Sequence, residues 1–272
     1  MVFLFYFLIF FLGAVFASFA MVLGERLPQE KPVILSRSRC SSCQRELSWL
    51  DLAPIISWVV LLGKCRYCGQ KISWRYLAGE TILGFLFVIV AVKYKLLTNI
   101  FAAKIDYFAV SQVIFVWLLA TILMAIFLAD WRYFTIPDKL LWFLALSLVV
   151  FWGVSYALNI YSSGFIIARV LSGAIFGGLF WCVWFFSQGK WLGFGDVKYF
   201  FVSGALLGLE GFLAMVFLAS LAGSLVGMWQ IAFLQKSLKS KLPFGVFLAP
   251  ATIIIYVFFD YLSSFFLKLL II

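Results

Sequence analysis

Four of the five cysteines of this chain stand in two Cys-x-x-Cys pairs, with 21 residues between the pairs. These four residues are Cys40, Cys43, Cys65 and Cys68. Two such pairs at this separation are typical of a zinc (Zn2+) site with four thiolate ligands. Disulfides, redox-active thiols and a chance arrangement are the alternatives. Disulfides are disfavoured if the loop is cytoplasmic, because the cytoplasm keeps thiols reduced. The fifth cysteine, Cys182, has no partner in the sequence, and we expect it to serve packing.

Two aspartates stand at the ends of long apolar stretches. Asp130 closes one stretch, and Asp196 opens another in the motif Gly193-Phe-Gly-Asp196, whose glycines Gly193 and Gly195 would permit close approach of backbone and substrate. An acid at membrane depth costs at least about 2.5 kcal/mol, so each needs an explanation. Each aspartate alone could be a charged helix end. Occurring together at one membrane face, they favour catalysis.

Two aspartates that converge on one water molecule have the groups of an aspartic protease. Like charges a few ångströms apart cannot both ionise, so such a pair shares one proton. One carboxylate then activates the water as a base, and the other acts as the acid that protonates the leaving amine. The chain contains no histidine, so acid–base chemistry must fall to carboxylates, thiolates or lysines.

The composition indicates which elements position these residues. Of 272 residues, 65% are hydrophobic and 12% are charged, whereas a soluble domain has about 25% charged residues. Continuous apolar runs exclude a soluble enzyme, a disordered tail, a collagen-like fibre and an outer-membrane barrel. We therefore predict an all-α polytopic membrane protein. The net charge of +10 suits loops beside anionic lipid, and we expect no nucleic-acid partner.

About eight runs are long enough to be membrane helices, given that roughly 20 apolar residues cross the hydrocarbon. The predicted spans are 2–23, 78–97, 106–129, 139–158, 166–187, 194–209, 211–234 and 245–268. The sixth is short and is joined tightly to the seventh by Glu210-Gly211. The predicted domains are a first transmembrane helix at 1–23, a cytoplasmic four-cysteine loop at 24–77 and a transmembrane protease bundle at 78–272.

The distribution of lysine and arginine predicts the orientation. The loop between the first two spans holds nine basic residues, and 16 of the 21 in the chain fall on the same side. The five on the other side are Lys93, Lys95, Lys104, Arg169 and Lys268. The richer side should be cytoplasmic. This places the cysteine loop and both aspartates at the cytoplasmic face.

An apolar segment, Trp49–Leu62, lies between the two cysteine pairs. It is too short to cross a bilayer, so we interpret it as an interfacial or re-entrant piece. The loop as a whole cannot bury much core, and metal binding would supply much of its folding free energy.

The chain resembles the type 4 prepilin peptidases, bacterial leader peptidases and N-methyltransferases that mature pilins and pseudopilins. The resemblance rests on seven motifs in a fixed order along most of the chain. They are Ser36-Arg-Ser-Arg-Cys-Ser-Ser-Cys43, Leu47-Ser-Trp-Leu-Asp-Leu-Ala-Pro54, Gly63-Lys-Cys-Arg-Tyr-Cys-Gly69, Ile72-Ser-Trp-Arg-Tyr76, the segment from Asp130 to Leu140, Gly193-Phe-Gly-Asp-Val-Lys198 and Leu242-Pro-Phe-Gly245. The departures from the family's pattern, at Met21, Ser41, Leu77 and Trp191-Leu192, touch none of the cysteines or aspartates above.

The resemblance implies an intramembrane aspartic endopeptidase of the Gly-x-Gly-Asp class, with Asp130 and Asp196 as the catalytic pair. It implies cleavage of a basic leader after a glycine at the cytoplasmic face of the bacterial inner membrane, on prepilins of type IV pili or pseudopilins of type II secretion. Family members with the cysteine loop also methylate the new amino group, using S-adenosylmethionine. Because this chain has that loop, we expect both activities.

Three further residues have more than one interpretation each. Asp138 orders the active-site loop, interacts with the substrate or caps the fourth span as its N-cap. Lys198 either balances the charge of the aspartates, meets a substrate carboxylate or extends to the membrane interface. Glu80 either binds the substrate amine or the methyl donor, or is a helix-start charge.

Two rival functions also fit part of the sequence. Intramembrane aspartates can relay protons in a transporter, which would predict inverted internal repeats, and none is visible. A non-catalytic assembly scaffold whose zinc loop docks a cytoplasmic ATPase would predict that Asp130→Asn has no effect.

Overall fold

The computed structural model describes residues 2–33, 37–101, 105–234 and 242–271, with side chains described up to residue 259. Some residues used above to predict the orientation and the first motif lie outside the described residues. They are Ser36, Lys104, Lys236, Lys239, Lys241 and the side chain of Lys268.

The described part of the chain is all-α, which confirms the predicted fold class. The α-helices are α1 (Val2–Arg26), α2 (Ile56–Val60), α3 (Trp74–Lys93), α4 (Leu96–Ile100), α5 (Tyr107–Tyr133), α6 (Asp138–Ala157), α7 (Ser163–Phe186), α8 (Phe194–Leu234) and α9 (Gly245–Ile271). A short 3-10 helix, Leu27–Gln29, extends α1. Among these residues, β-pairing is limited to two isolated bridges in the cysteine loop.

Six helices are long and apolar enough to cross a membrane: α1 with its extension, α3, α5, α6, α7 and α8. The described side chains of α9 form a shorter apolar helix, Gly245–Phe259. The molecule is therefore an integral membrane protein. The second span begins at Trp74, four residues before the predicted start, because the Ser73 hydroxyl accepts a hydrogen bond from the Arg75 amide and caps the helix.

The predicted sixth and seventh spans are the two arms of α8. Gly208 interrupts the helix with φ 70° and ψ −173°, a conformation open essentially to glycine alone. The rings of Phe200 and Phe212 lie 5.5 Å apart, whereas a straight helix would separate these positions by about 18 Å. The chain therefore folds back sharply at Gly208, two residues before the predicted junction. The freed carbonyl of Leu206 accepts a hydrogen bond from the Arg169 guanidinium, at 3.3 Å.

The chain divides into two compact units, Met1–Ala125 and Ile126–Ile272. In the first unit α1 packs against α3 through a face of small side chains on α1, including Ala14, Ala17 and Ala20, each fully buried. In the second unit α8 packs against α7 and α9. The cysteine loop belongs to the first unit, and both Asp130 and Asp196 belong to the second.

Candidate active site and metal-binding cluster

Asp130 lies in the last turn of α5 and is 5% exposed. Its Oδ2 atom accepts a hydrogen bond of 3.2 Å from the amide of Val246, at the start of α9. Gly245 also contributes its amide, and a β-carbon at this position would stand 2.8 Å from Oδ2. The Leu242-Pro-Phe-Gly245 turn thus holds the Asp130 carboxylate, and the close approach requires glycine at 245.

Asp196 is the third residue of α8 and is partly exposed. Its own amide and that of Val197 both donate to the carbonyl of Gly193, which closes the turn that starts the helix. A β-carbon at Gly193 would stand 3.1 Å from Oδ2 of Asp196, and one at Gly195 would stand 3.3 Å from the Cβ atom of Ile136. Gly193 therefore adjoins the Asp196 carboxylate, whereas Gly195 allows close packing against Ile136.

The fold of the second unit brings the two aspartates together, although 66 positions separate them in the chain. The two carboxylates are close enough to interact electrostatically. Asp130 is buried and is held by backbone amides, while Asp196 keeps partial exposure. A buried acid beside a second, accessible acid is an arrangement that can hold one proton between two carboxylates and position a water molecule.

Asp138 and Lys198 form an ion pair at the rim of this site. The Lys198 ammonium donates to both carboxylate oxygens of Asp138, at 2.6 and 2.7 Å, and lies 4.8 Å from the ring centre of Phe194. The N-cap interpretation of Asp138 is wrong by one position. Pro137 is the N-cap of α6, and Asp138 is the first helical residue, where its carboxylate instead bonds to Lys198. Each residue therefore has the other as its charge partner.

The two cysteine pairs are built as similar turns, which we call the first knuckle (residues 39–46) and the second knuckle (residues 64–72). In each turn the amide of the first cysteine donates to the carbonyl five residues later, Arg45 for Cys40 and Gln70 for Cys65. The residue four positions after the first cysteine closes the turn with positive φ, 56° at Gln44 and 69° at Gly69. Local sequence therefore forms both knuckles, and glycine or a polar residue stands where the left-handed conformation is needed.

The four sulfur atoms lie within 4.8 Å of one another, and those of Cys40 and Cys68 are 3.8 Å apart. Tetrahedral zinc with Zn–S bonds of about 2.3 Å requires sulfurs about 3.8 Å apart. The cysteines therefore fit a metal ion such as zinc, as the spacing predicts. Cys182 lies outside this cluster and is exposed.

The thiols of the cluster ionise unequally. The amides of Cys43 and Ser42 point at the sulfur of Cys40 and lower the pKa of that thiol to about 6. At Cys68 the Gln70 amide favours ionisation, but desolvation and the neighbouring thiols outweigh it and raise the pKa to about 11. Ionising one thiol thus opposes ionisation of another. A divalent cation would relieve that repulsion, which is what a four-thiolate metal site requires.

Asp51 is a structural acid that the sequence analysis did not single out. Its side chain is 3% exposed and accepts bonds from the Ser48 amide and hydroxyl, from the Arg66 guanidinium at 2.7 Å and from the Tyr67 hydroxyl. Burial acts to raise the pKa of Asp51, but the Ser48 bonds and the Arg66 charge together hold it below its usual value. The Ser-x-x-Asp spacing, typical of a local side-chain-to-backbone turn, was the available signal.

Glu80 is buried in the first unit and lies seven residues into α3, so it is not a charge at the helix start. Its Oε2 atom accepts a hydrogen bond of 2.6 Å from the amide of Ile55, and its carboxylate also bonds to Ser18 of α1. Glu80 therefore joins α1, α3 and the cysteine loop.

Comparison with known proteins places the chain among membrane-embedded aspartic peptidases. The family described as Bacterial Peptidase A24 N-terminal domain matches residues 11–94, and the Type IV leader peptidase family matches residues 117–228. The chain belongs to the type 4 prepilin peptidase family. The first match contains the four cysteines and Glu80, and the second contains Asp130 and Asp196.

Several curated relatives carry the name prepilin leader peptidase/N-methyltransferase. The Bacillus subtilis protein is 28% identical over 268 residues, which is 96% of this chain and 98% of that protein. The Aeromonas salmonicida protein is 27% identical over 80% of this chain and 70% of its own length. The Vibrio cholerae protein is 29% identical over 76% of this chain and 78% of its own length. No solved structure matches the chain significantly.

Proposed function

We propose that this protein cleaves the basic leader from prepilins and pseudopilins and then methylates the new amino terminus. The single observation that carries the peptidase half is the pairing of the buried Asp130 with Asp196 inside one compact unit. The names of the relatives, which align along most of the chain, supply the substrate class and the second activity.

In the proposed mechanism the two carboxylates hold one proton and one water molecule between them. The ionised aspartate takes a proton from the water, and the resulting hydroxide attacks the carbonyl carbon of the substrate glycine. The protonated aspartate gives its proton to the leaving nitrogen, so the C–N bond breaks and the mature protein leaves with a free amine. The Val246 and Gly245 amides keep Asp130 in place through these steps.

Substrate entry requires local unwinding. A helical peptide carbonyl is hydrogen-bonded within its own helix and is hidden from attack. We propose that the apolar helix of the prepilin enters from the membrane and unwinds at the glycine beside the aspartates. The exposed rim beside Asp196, with Gly193 and the Lys198–Asp138 pair, supports access from this side.

We assign methyl transfer to the first unit, with S-adenosylmethionine as the donor of the methyl group. Glu80 was the predicted cofactor-binding residue. Since its carboxylate is already engaged by the Ile55 amide and by Ser18, we propose that it serves this half-reaction by positioning the cysteine loop. The four cysteines would hold Zn2+ as a structural ion that fixes the two knuckles to each other.

We also propose that the cysteine loop and the aspartates face the cytoplasm. The excess of lysine and arginine on this side supports the orientation. The leader is basic, and so is the loop, so anionic headgroups between them would offset the repulsion.

One incubation tests both activities. Purified full-length protein in liposomes receives a prepilin and methyl-labelled S-adenosylmethionine, and mass spectrometry follows the substrate. The expected products are the free leader and a mature protein with a labelled methyl group on its terminal nitrogen. An intact prepilin would overturn the peptidase proposal and favour a scaffold. Proton flux in the same liposomes without cleavage would favour a transporter. Cleavage without label would overturn only the methyl-transfer half.

A further inference from the structure

A short apolar segment, residues 53–62, lies between the two knuckles and contains α2. Four of its large apolar side chains are exposed: Ile56 at 50%, Val59 at 54%, Val60 at 71% and Leu62 at 80%. An exposed apolar surface of this kind marks contact with either lipid or another protein. Its depth relative to the membrane helices decides between the two.

Glu80 gives the first measure of depth. The helix α3 has 20 residues, about 30 Å, which is the full thickness of the hydrocarbon, so all of α3 is needed to cross it. Glu80 is the seventh residue of α3 and therefore lies about 9 Å inside the end that adjoins the cysteine loop. The Ile55 amide donates to this carboxylate at 2.6 Å, so the backbone at 55 lies at the same depth.

Ser18 gives a second, independent measure from α1. It bonds to the same Glu80 carboxylate and stands eight residues before Arg26, the last residue of that helix. Eight residues correspond to about 12 Å of helix. Two different helices thus place the Ile55 amide about 9–12 Å below their loop-side ends, although α1, with 25 residues, extends past the hydrocarbon. The segment therefore reaches at least as deep as an interfacial helix, which inserts its apolar face about 5–10 Å.

The hydrogen bonds of the segment suit hydrocarbon rather than water. An unpaired backbone amide in hydrocarbon costs several kcal/mol, and the Glu80 carboxylate satisfies the one at Ile55. Pro54, just before it, has no amide hydrogen. The Trp58 indole donates to the carbonyl of Ile72, and the Gly63 amide donates to the carbonyl of Trp58. The segment is therefore fixed to the second knuckle as one body.

Charge at the edge of the segment agrees with this placement. Lys64 and Lys71 are exposed on the adjoining knuckle, within reach of the headgroup region once α2 is inserted. Cations beside an inserted apolar helix are the usual arrangement at an anionic membrane surface.

We propose that residues 53–62 form a re-entrant segment inserted in the leaflet that adjoins the cysteine loop. Ile56, Val59, Val60 and Leu62 contact lipid acyl chains, and Lys64 and Lys71 contact anionic headgroups. The segment thereby holds the cysteine cluster against the membrane surface. This proposal rests on the membrane helices alone and not on the proposed peptidase activity.

Photolabelling from the lipid tests the proposal. Full-length protein is placed in liposomes of phosphatidylglycerol and phosphatidylethanolamine, with a trace of a lipid that carries a diazirine in the middle of its acyl chain. After illumination, mass spectrometry maps the adducts. The expected result is adducts on residues 56–62 and none on residues 37–46, while a headgroup diazirine labels the peptide with Lys64. Absence of acyl-chain adducts on 56–62, with the spanning helices labelled normally, would overturn the proposal.

Two variants at one position sharpen the result. Val60→Asp should lower labelling of 56–62 about tenfold, since a charge at this depth opposes insertion, whereas Val60→Leu should keep it. Zinc content measured on both proteins reports whether the knuckles remain folded. Equal labelling of Val60→Asp and Val60→Leu would show that the segment is not lipid-inserted. Leader cleavage is measured separately in the same liposomes, so a failure of the peptidase proposal would leave the labelling pattern unchanged.

Discussion

Each of the two units contains a buried aspartate, and the partners of the two acids differ. In the first unit Asp51 is surrounded by donors, with a guanidinium at 2.7 Å and three further hydrogen bonds. In the second unit Asp130 receives the amides of Val246 and Gly245, and its charge acts on a second acid, Asp196. A buried carboxylate with a cation stabilises structure, whereas one beside another carboxylate is poised for proton transfer.

The largest expected effect separates these two acids. Asp130→Asn and Asp196→Asn should each lower leader cleavage by at least about 1,000-fold, because the pair loses a group that moves a proton. Asp106→Asn is the matched control, since Asp106 caps the other end of α5 and asparagine caps equally well. The rate of prepilin cleavage in liposomes measures all three. Substantial cleavage by either the Asp130→Asn or the Asp196→Asn variant would show that the replaced aspartate is not catalytic.

The next effect concerns the cysteines of the first unit. Cys65→Ser should lower zinc affinity by more than about 100-fold. Replacing a residue that only contacts a metal ligand lowers metal affinity by about 10- to 100-fold, and removing the ligand itself should lower it further. Cys182→Ser, outside the cluster, should bind zinc like the parent protein. Metal content after dialysis measures both. If Cys65→Ser retained a full equivalent of zinc, the cluster would not be the metal site.

A third prediction tests how closely the second unit fits around its acid. Gly245→Ala places a β-carbon 2.8 Å from Oδ2 of Asp130, and a displacement of about 1 Å at a catalytic group costs about 100-fold in rate. Gly223→Ala is the control, since its β-carbon would meet Phe247 at an ordinary 3.4 Å. Cleavage rates that are equal for the two variants would contradict the proposed role of the turn at 242–245.

A smaller effect is expected for the structural acid. Asp51→Asn should destabilise the cysteine loop by about 2 kcal/mol, because the Arg66 guanidinium loses its charged partner. The folded pKa of Asp51 is lowered, so its contribution is complete above the unfolded value of about 4 and is lost as pH falls through the folded value. Protease susceptibility of the loop at pH 7 and pH 3 measures this. The difference between variant and parent should shrink from pH 7 to pH 3, and a difference that grew as the pH fell would contradict the prediction.

The smallest effect is expected at the rim. Lys198→Met removes an ion pair whose members are 34% and 58% exposed, and such pairs contribute about 0–1 kcal/mol. Cleavage should therefore fall by less than about fivefold. A loss comparable to that of Asp130→Asn would instead show that Lys198 acts on the aspartates directly.

How much the sequence predicted depends on how local each feature is. The cysteine cluster was predictable from spacing, since each knuckle is a short turn closed by its own backbone hydrogen bonds. The helices were predictable from apolar runs, to within a few residues at most ends. The N-caps account for the differences at two helix starts. Ser73 caps α3, which begins before the predicted residue 78, and Pro137 caps α6, which begins before the predicted residue 139. The Asp138 capping interpretation was wrong for the same reason.

Other features depend on residues far apart in the chain, and hydropathy carries no information on which of them meet. Arg66 meets Asp51, Lys198 meets Asp138 and Glu80 meets the Ile55 amide only after folding. The turn at Gly208 depends on a carbonyl that Arg169 satisfies from another helix.

By itself, the sequence determined that the chain is helical and membrane-embedded, because an apolar segment in lipid must hydrogen-bond its own backbone. The sequence also determined that four thiols can bind one cation, because each cysteine pair lies in a short turn closed by local hydrogen bonds. Only the tertiary structure decided which acid lies beside which. Packing of α8 and α9 around the end of α5 places Asp130 against the Val246 amide and within the field of Asp196. That juxtaposition depends on side-chain shapes along whole helices, which no short motif encodes.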